Sequence, residues 1–235
     1  MKWKSSNLIQ IDWRQPIINK EEKEEVAQKV AQLVSHGDII GAGSGSTSFL
    51  AIQAIANRMK KENISCTVIP TSAEIALTCA ALGIPTTTLL QCRPSWSFDG
   101  ADEVDKEGNL IKGRGGALFK EKIVMVSSPK TYIIVDSSKL VDSLGNKFPI
   151  PVEVHQFAIH SVYESLNELG AKDIKLRLAQ KKDGPVITEN GNFLLDVKFP
   201  YIENSLEKRI KAIPGVIESG LFIGYNVNIL VTGSH

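Results

Sequence analysis

The sequence predicts an α/β protein: a mostly parallel, Rossmann-like sheet domain with a smaller ferredoxin-like α+β domain inserted near the C-terminus. Three observations lead there. Apolar strand-like segments alternate with helix-like segments from residue 20 to residue 135, the pattern of βαβ units and a parallel sheet. Pro149 and Pro151 then mark a change in character. Beyond them, strands and two helices surround an Asn190-Gly191 turn, as in a split βαβ module.

Residues 20–35 carry Val26, Val30, Leu33 and Val34 at helical spacing, with acids early, where the helix dipole favours them. A strand at 38–41 runs into the loop GAGSGST at 41–47, whose Ser46 or Thr47 is expected to cap a helix reaching Arg58. A strand at 65–70, a helix at 73–82 ended by Gly83, and strands at 86–90 and 96–98 follow. A helix from Ala117 and a strand at 132–135 close this half. After the prolines we expect strand 152–155, helix 158–169, strand 174–178, a hairpin of 185–189 and 193–197, helix 203–212 and strand 215–221. A last strand at 227–231 returns to the first domain. The expected domains are therefore 1–147 with 224–235, catalytic, and 148–223, a small module with a role in oligomerisation.

Composition bounds the function. At 43% hydrophobic and 23% charged, the 235 residues suit a soluble globular protein with a substantial core. A net charge of +1 argues against a nucleic-acid surface driven by bulk electrostatics. Cys66, Cys79 and Cys92 are odd in number and lack a CxxC pairing, which argues against a disulfide framework or a zinc site. MKWKSSNLIQIDWRQP has no apolar signal core, and no apolar run approaches the roughly 18 residues a membrane span needs. A cytoplasmic protein is expected, with no membrane and no nucleic-acid partner.

The densest chemistry lies between Phe98 and Lys122, FDGADEVDKEGNLIKGRGGALFKEK. Acids, bases and five glycines crowd a stretch that reads as poor core material. A solvated charged loop is the bland alternative. DGAD, however, follows apolar Trp96 and Phe98, as at the carboxyl end of a buried strand, where open α/β sheets bind ligands. Asp99 and Asp102 suit hydrogen bonds from hydroxyl groups better than a metal, since no calcium-loop pattern or nearby histidine accompanies them. Lys112 reads as a surface lysine, a Schiff-base nucleophile, or a charge for a developing oxyanion. Arg114 points to solvent or clamps a phosphate. Glu121 by itself is an ordinary helix acid.

GAGSGST sits at a strand-to-helix turn, where backbone N–H groups and the helix dipole favour an anion. No GK[ST] follows it, so it is not a P-loop. Ser46 occupies the third glycine position of a dinucleotide fingerprint, and the next strand ends in Ile69-Pro70-Thr71-Ser72 without an acid for a ribose hydroxyl. A nicotinamide enzyme is disfavoured.

GAGSGST at 41–47, DGADEVD at 99–105, KGRGGALFKEKIV at 112–124, DSSKLVDSLG at 136–145, FPIPVEV at 148–154 and IPGVIESGLF at 213–222 together resemble the signature blocks of the A-type ribose-5-phosphate isomerase family. The resemblance keeps the family's order over nearly the whole chain. It implies an aldose–ketose isomerase of carbohydrate metabolism, in the non-oxidative pentose phosphate branch, that uses no cofactor and no metal. It also implies a sugar-phosphate ligand and a homo-oligomer, dimer or tetramer. Glu121 would be the base, Lys112 the oxyanion partner, and Asp99 and Asp102 would orient hydroxyls or assist ring opening. Ser44, Gly45, Ser46, Thr47, Gly100, Ala101, Gly113, Arg114, Gly115 and Lys139 would line the substrate. Ser44 stands where the family commonly has threonine, and LQCRPSWS at 90–97 departs from its usual acidic lead-in. Two other classes remain: a sugar-phosphate sensor, for which residues before 20 leave no room for a helix-turn-helix, and a coenzyme A transferase of related architecture.

Overall fold

The computed structural model describes Trp13 and residues 16–232, so most of the N-terminal stretch considered above lies outside the described residues. The described chain falls into two compact units. The first holds the chain up to Gly100, Ile123–Ser138 and the segment from Val227; the second holds Ala101–Lys122 and Lys139–Asn226. Division by contacts thus assigns 101–122 and 139–147 to the second unit, where chain character alone placed them with the first. Among the described residues, no helix is long and apolar enough to cross a membrane.

In the first unit, five parallel strands run in the order β12-β6-β3-β1-β2: β1 (Asp38–Ala42), β2 (Cys66–Pro70), β3 (Trp96–Asp99), β6 (Thr131–Asp136) and β12 (Asn228–Thr232). The neighbouring helices are α1 (Lys20–Leu33), α2 (Ser46–Glu62) and α3 (Ala73–Leu82). Their core includes Val26, Val30, Ile40, Ile52, Ile55 and Phe98. Val26 and Val30 face inward as their spacing predicts, whereas Leu33, at the end of α1, is exposed. Arg58 of α2 closes that end by donating to the carbonyls of Ala31 and Val34, at 2.6 and 2.8 Å.

In the second unit, β7 (Ile150–Val154), α5 (Ile159–Glu168), β8 (Asp173–Leu176), β9 (Phe193–Lys198), α6 (Leu206–Lys211) and β10 (Val216–Ser219) form a βαββαβ module. Its antiparallel sheet has the order β10-β7-β9-β8, the ferredoxin-like arrangement. A second, three-stranded sheet joins β4 (Glu103–Val104), β5 (Leu110–Ile111) and β11 (Leu221–Phe222). Helix α4 (Leu118–Ser127) follows β5.

Several expectations are corrected. Residues 86–90 are not a strand: Thr86 makes one bridge to Val68, and the chain turns as Gln91 and Cys92 donate to the Thr88 carbonyl. Residues 185–189 are not half of a hairpin, because β7 and β8 already occupy both edges of β9; the turn at Asn190-Gly191 exists without its first strand. The segment expected at 215–221 breaks at Gly220 into β10 and β11, which serve different sheets. The stretch expected to be poor core material instead folds as the β4–β5 hairpin and the start of α4, with Glu103, Leu110, Ile111, Leu118, Glu121 and Lys122 buried. Asp99, Glu103, Lys112, Glu121 and Lys122 are its buried charges, while Lys106, Glu107 and Arg114 are exposed.

Candidate active site

The sheet of the first unit explains where its ligand groups gather. From β1 the chain passes to β2 on one side and then to β3 on the other, so strand order reverses beside β1. Ligands of open α/β sheets bind outside the carboxyl ends of the strands at such a point. GAGSGST lies at that end of β1, Thr71 follows β2, Asp99 ends β3 and Asp136 ends β6. Gly43 donates to the Phe98 carbonyl at 2.8 Å, and a Cβ there would overlap the Asp99 carboxylate, so glycine is what lets the loop close on that acid. Gly100 donates its N–H to Asp99 Oδ1 at 2.7 Å. Ser44 Oγ and Thr71 Oγ1 are 2.8 Å apart.

The expected capping by Ser46 or Thr47 is replaced by Gly45 at the N-cap, with φ 92° and no side-chain cap bond. The first turn of α2 thus has no side-chain cap bond, and N–H groups in that setting favour an anion. Lys23, buried in α1, adds positive charge there: its Nζ donates to Ser46 Oγ at 3.4 Å and lies 3.7 Å from Asp136 Oδ2. Sequence reasoning missed Lys23. Its one local signal is a lysine on the apolar face of α1, three positions before Val26.

Asp102, Lys112, Arg114, Glu121 and Lys139 belong to the second unit, with Ala101 just before them and Gly113 and Gly115 between them in the chain. The β4–β5 hairpin sets the spacing: Asp102 donates its N–H to the Ile111 carbonyl at 2.8 Å, so Asp102 and Lys112 leave the hairpin side by side. Lys112 Nζ is 3.2 Å from Glu121 Oε2, with the side chains 4% and 5% exposed. That pair is what one turn of helix after KGRGG produces. Arg114 donates its N–H to Asp102 Oδ2 at 3.2 Å. Burial pushes the Asp102 carboxyl up, against Lys112, the Arg114 N–H, Lys139 and the Arg114 charge, which pull it down.

Arg114 and Lys139 approach the ring of Phe148, at 5.8 and 5.2 Å from its centroid. The Phe148 N–H is in turn held by the buried Glu103 carboxylate, 2.7 Å away, which also receives Gly145. A cleft of about 390 Å³ is lined by Asp102, Arg114, Phe148, Arg177, Leu178 and Asp196, among others. Arg177 closes one wall by pairing with Asp196 and donating to the Gly113 and Arg114 carbonyls.

An anion-receptive loop at the switch point of a parallel sheet, and a buried lysine–glutamate pair suited to moving a proton, define an α/β enzyme of acid–base chemistry. The comparisons with known proteins make this specific. The profile of ribose 5-phosphate isomerase A (phosphoriboisomerase A) matches residues 67–235. The ribose-5-phosphate isomerase A of Thermosynechococcus vestitus is 45% identical over 216 residues, 90% of this chain and 91% of that protein. That of Methanocaldococcus jannaschii is 44% identical over 207 residues, covering 87% and 91%. The solved M. jannaschii structure superposes with a TM-score of 0.88 over 92% of this chain and 96% of its own, at 42% identity. A D-ribose-5-phosphate isomerase solved in complex with phospho-erythronic acid gives 0.87, 38% identity and the same coverages, 92% and 96%. The chain belongs to the ribose 5-phosphate isomerase A family.

Proposed function

We propose that this protein interconverts D-ribose 5-phosphate and D-ribulose 5-phosphate by proton transfer through an enediolate. The observation that carries the mechanism is the buried Lys112–Glu121 pair at 3.2 Å. In the open-chain aldose, the Glu121 carboxylate takes the proton on C2 as the C1 carbonyl oxygen gains charge. In the enediolate the proton of the C2 hydroxyl passes to O1, and the same carboxyl group then returns its proton to C1, leaving the ketone at C2 and a hydroxyl at C1. Lys112 stabilises the oxyanion, because a fixed charge in a water-poor site acts most strongly where charge develops. No metal or organic cofactor enters these steps.

Asp99 and Asp102 orient the sugar hydroxyls and assist ring opening. Ser44, Gly45, Ser46 and Thr47 hold the substrate with Lys139, and Gly100, Ala101, Gly113, Arg114 and Gly115 line it. Family membership supports these roles, as does the relative solved with a phosphorylated four-carbon acid. A cytoplasmic homo-oligomer, dimer or tetramer, with the module at 148–223 in the contact, completes the proposal.

The test is conversion of ribose 5-phosphate in the presence of a chelator, wild type beside Glu121→Gln. Wild-type turnover that survives the chelator, with a loss of at least ~10²-fold in the variant, is expected from removal of a general base. Equal activity in the variant would remove Glu121 from its role. Absence of wild-type turnover would overturn the isomerase reading itself.

A further inference from the structure

Lys122 follows the proposed base and is 5% exposed, yet no step above uses it. Its ammonium is saturated. Nζ donates to Glu207 Oε1 at 2.6 Å, Glu218 Oε1 at 2.9 Å, the Ser219 carbonyl at 3.0 Å and the Leu221 carbonyl at 2.7 Å. It also lies 4.5 Å from the centroid of the Phe222 ring. A side chain with that many fixed acceptors holds one position, and it fixes the rotation of the helix that carries it.

The strand it grips also holds Lys112. The Lys112 N–H donates to the Gly220 carbonyl at 2.9 Å, between the two carbonyls that Lys122 takes. Leu221 and Phe222 pair with Ile111 and Leu110, the residues just before Lys112. A Cβ on Gly220 would overlap the Lys112 carbonyl, which is why the approach is this close. Residues 219–222 thus serve as one jig for both members of the pair: Lys112 through its backbone, and Glu121 through its neighbour on α4.

We propose that Lys122 is a positioning residue for the reaction, setting Glu121 against Lys112 through the 219–222 strand and the Glu207 and Glu218 carboxylates. Successive helix residues point about 100° apart, so Lys122 grips the strand while Glu121 faces the reacting groups. At a side-chain radius of about 5–6 Å, a 10° rotation of the helix moves a carboxylate by about 1 Å. A misplacement of that size costs up to ~10²-fold in rate.

The proposal rests on the isomerase reading, and its test separates the two. Lys122→Met and Glu207→Gln are compared with wild type for kcat, KM and folded fraction. The Lys112–Glu121 separation is measured in the crystal structure of each variant that folds. Expected are a kcat loss of ~10–100-fold for Lys122→Met and ~3–10-fold for Glu207→Gln, KM within about threefold, and a separation longer than wild type. A folded variant with kcat within about twofold of wild type and an unchanged separation would overturn the proposal. So would a loss accounted for wholly by unfolded protein. Should Lys122→Met not fold, Glu207→Gln decides by the same criteria. An inactive wild type would sink the isomerase reading alone, and the measured separation would still decide whether Lys122 positions the pair.

Discussion

Lys112 and Lys122 approach one ring, Phe222, at 5.7 and 4.5 Å from its centroid, and both are almost wholly buried. Around Lys122, four oxygens stand within 3.0 Å and two of them belong to carboxylates. Burial raises the Glu218 carboxyl there, but Lys122, the Ser219 N–H and Lys211 outweigh it and hold it low. Tyr225 donates to Glu207 at 3.0 Å, and burial together with that carboxylate pushes its phenol well up. Around Lys112 the balance is different: the lysine meets Glu121, while burial leaves the Asp102 carboxyl above its ordinary value. One cluster satisfies its charges and is rigid. In the other, desolvation of the Asp102 carboxyl is only partly offset by its neighbours, a condition that favours a group able to give and take protons.

The comparison is broken most severely by Lys112→Met. The ammonium beside Glu121 is lost while the 219–222 strand and the cage stay intact, and turnover should fall by ~10²–10³-fold. Steady-state kinetics with matched far-UV circular dichroism checks this; a fall under tenfold would show that Lys112 is not an oxyanion partner. A smaller effect, on stability, is expected for Glu218→Gln, at about 2–3 kcal/mol near neutral pH. The Glu218 carboxyl is held below 4.5 in the folded state, so its contribution is present above that value and lost as pH falls through the folded one. Urea midpoints of wild type and variant should therefore converge in acid; a constant gap would show that its charge is not what matters.

Smallest is Asp102→Asn, with the opposite sign. Asp102 is raised above 3.8 by burial, so its ionisation opposes folding as pH rises through the folded value. The variant should match wild type in acid and exceed it by about 1 kcal/mol or less near pH 7, while losing activity. Denaturant titrations at both pH values decide it, and a variant less stable at neutral pH would refute the sign.

Much of this was legible in the chain. The periodicity of α1, the Gly83 stop of α3, and the apolar runs of β1, β2 and β6 are local signals and appear where expected. Glu121 and Lys112 were found through their motif, and the structure sets them 3.2 Å apart. The failures differ: at 86–90 the edge beside β2 is open and Thr86 bridges it, but the chain turns at Thr88, whereas at 185–189 both edges of β9 are taken by β7 and β8, neighbours distant in sequence. The role of Lys122 was illegible for the same reason, its carboxylate partners lying 85 and 96 residues further along. Lys23 looked like one charge in a charged helix until the end of β6 placed Asp136 beside it.

The strand order also has a consequence for synthesis. β12 pairs with β6 from Asn228–Tyr132 to Thr232–Asp136, so the first unit's sheet is completed by a strand made long after its partner. Until it emerges from the ribosome, β6 is an unprotected edge carrying Ile133, Ile134 and Val135, the kind of edge that invites pairing between chains. The four-stranded sheet of the second unit needs nothing beyond Ser219 and is available earlier. The upstream strands of the first unit therefore wait for β12, and the inserted module is the part that folds without waiting.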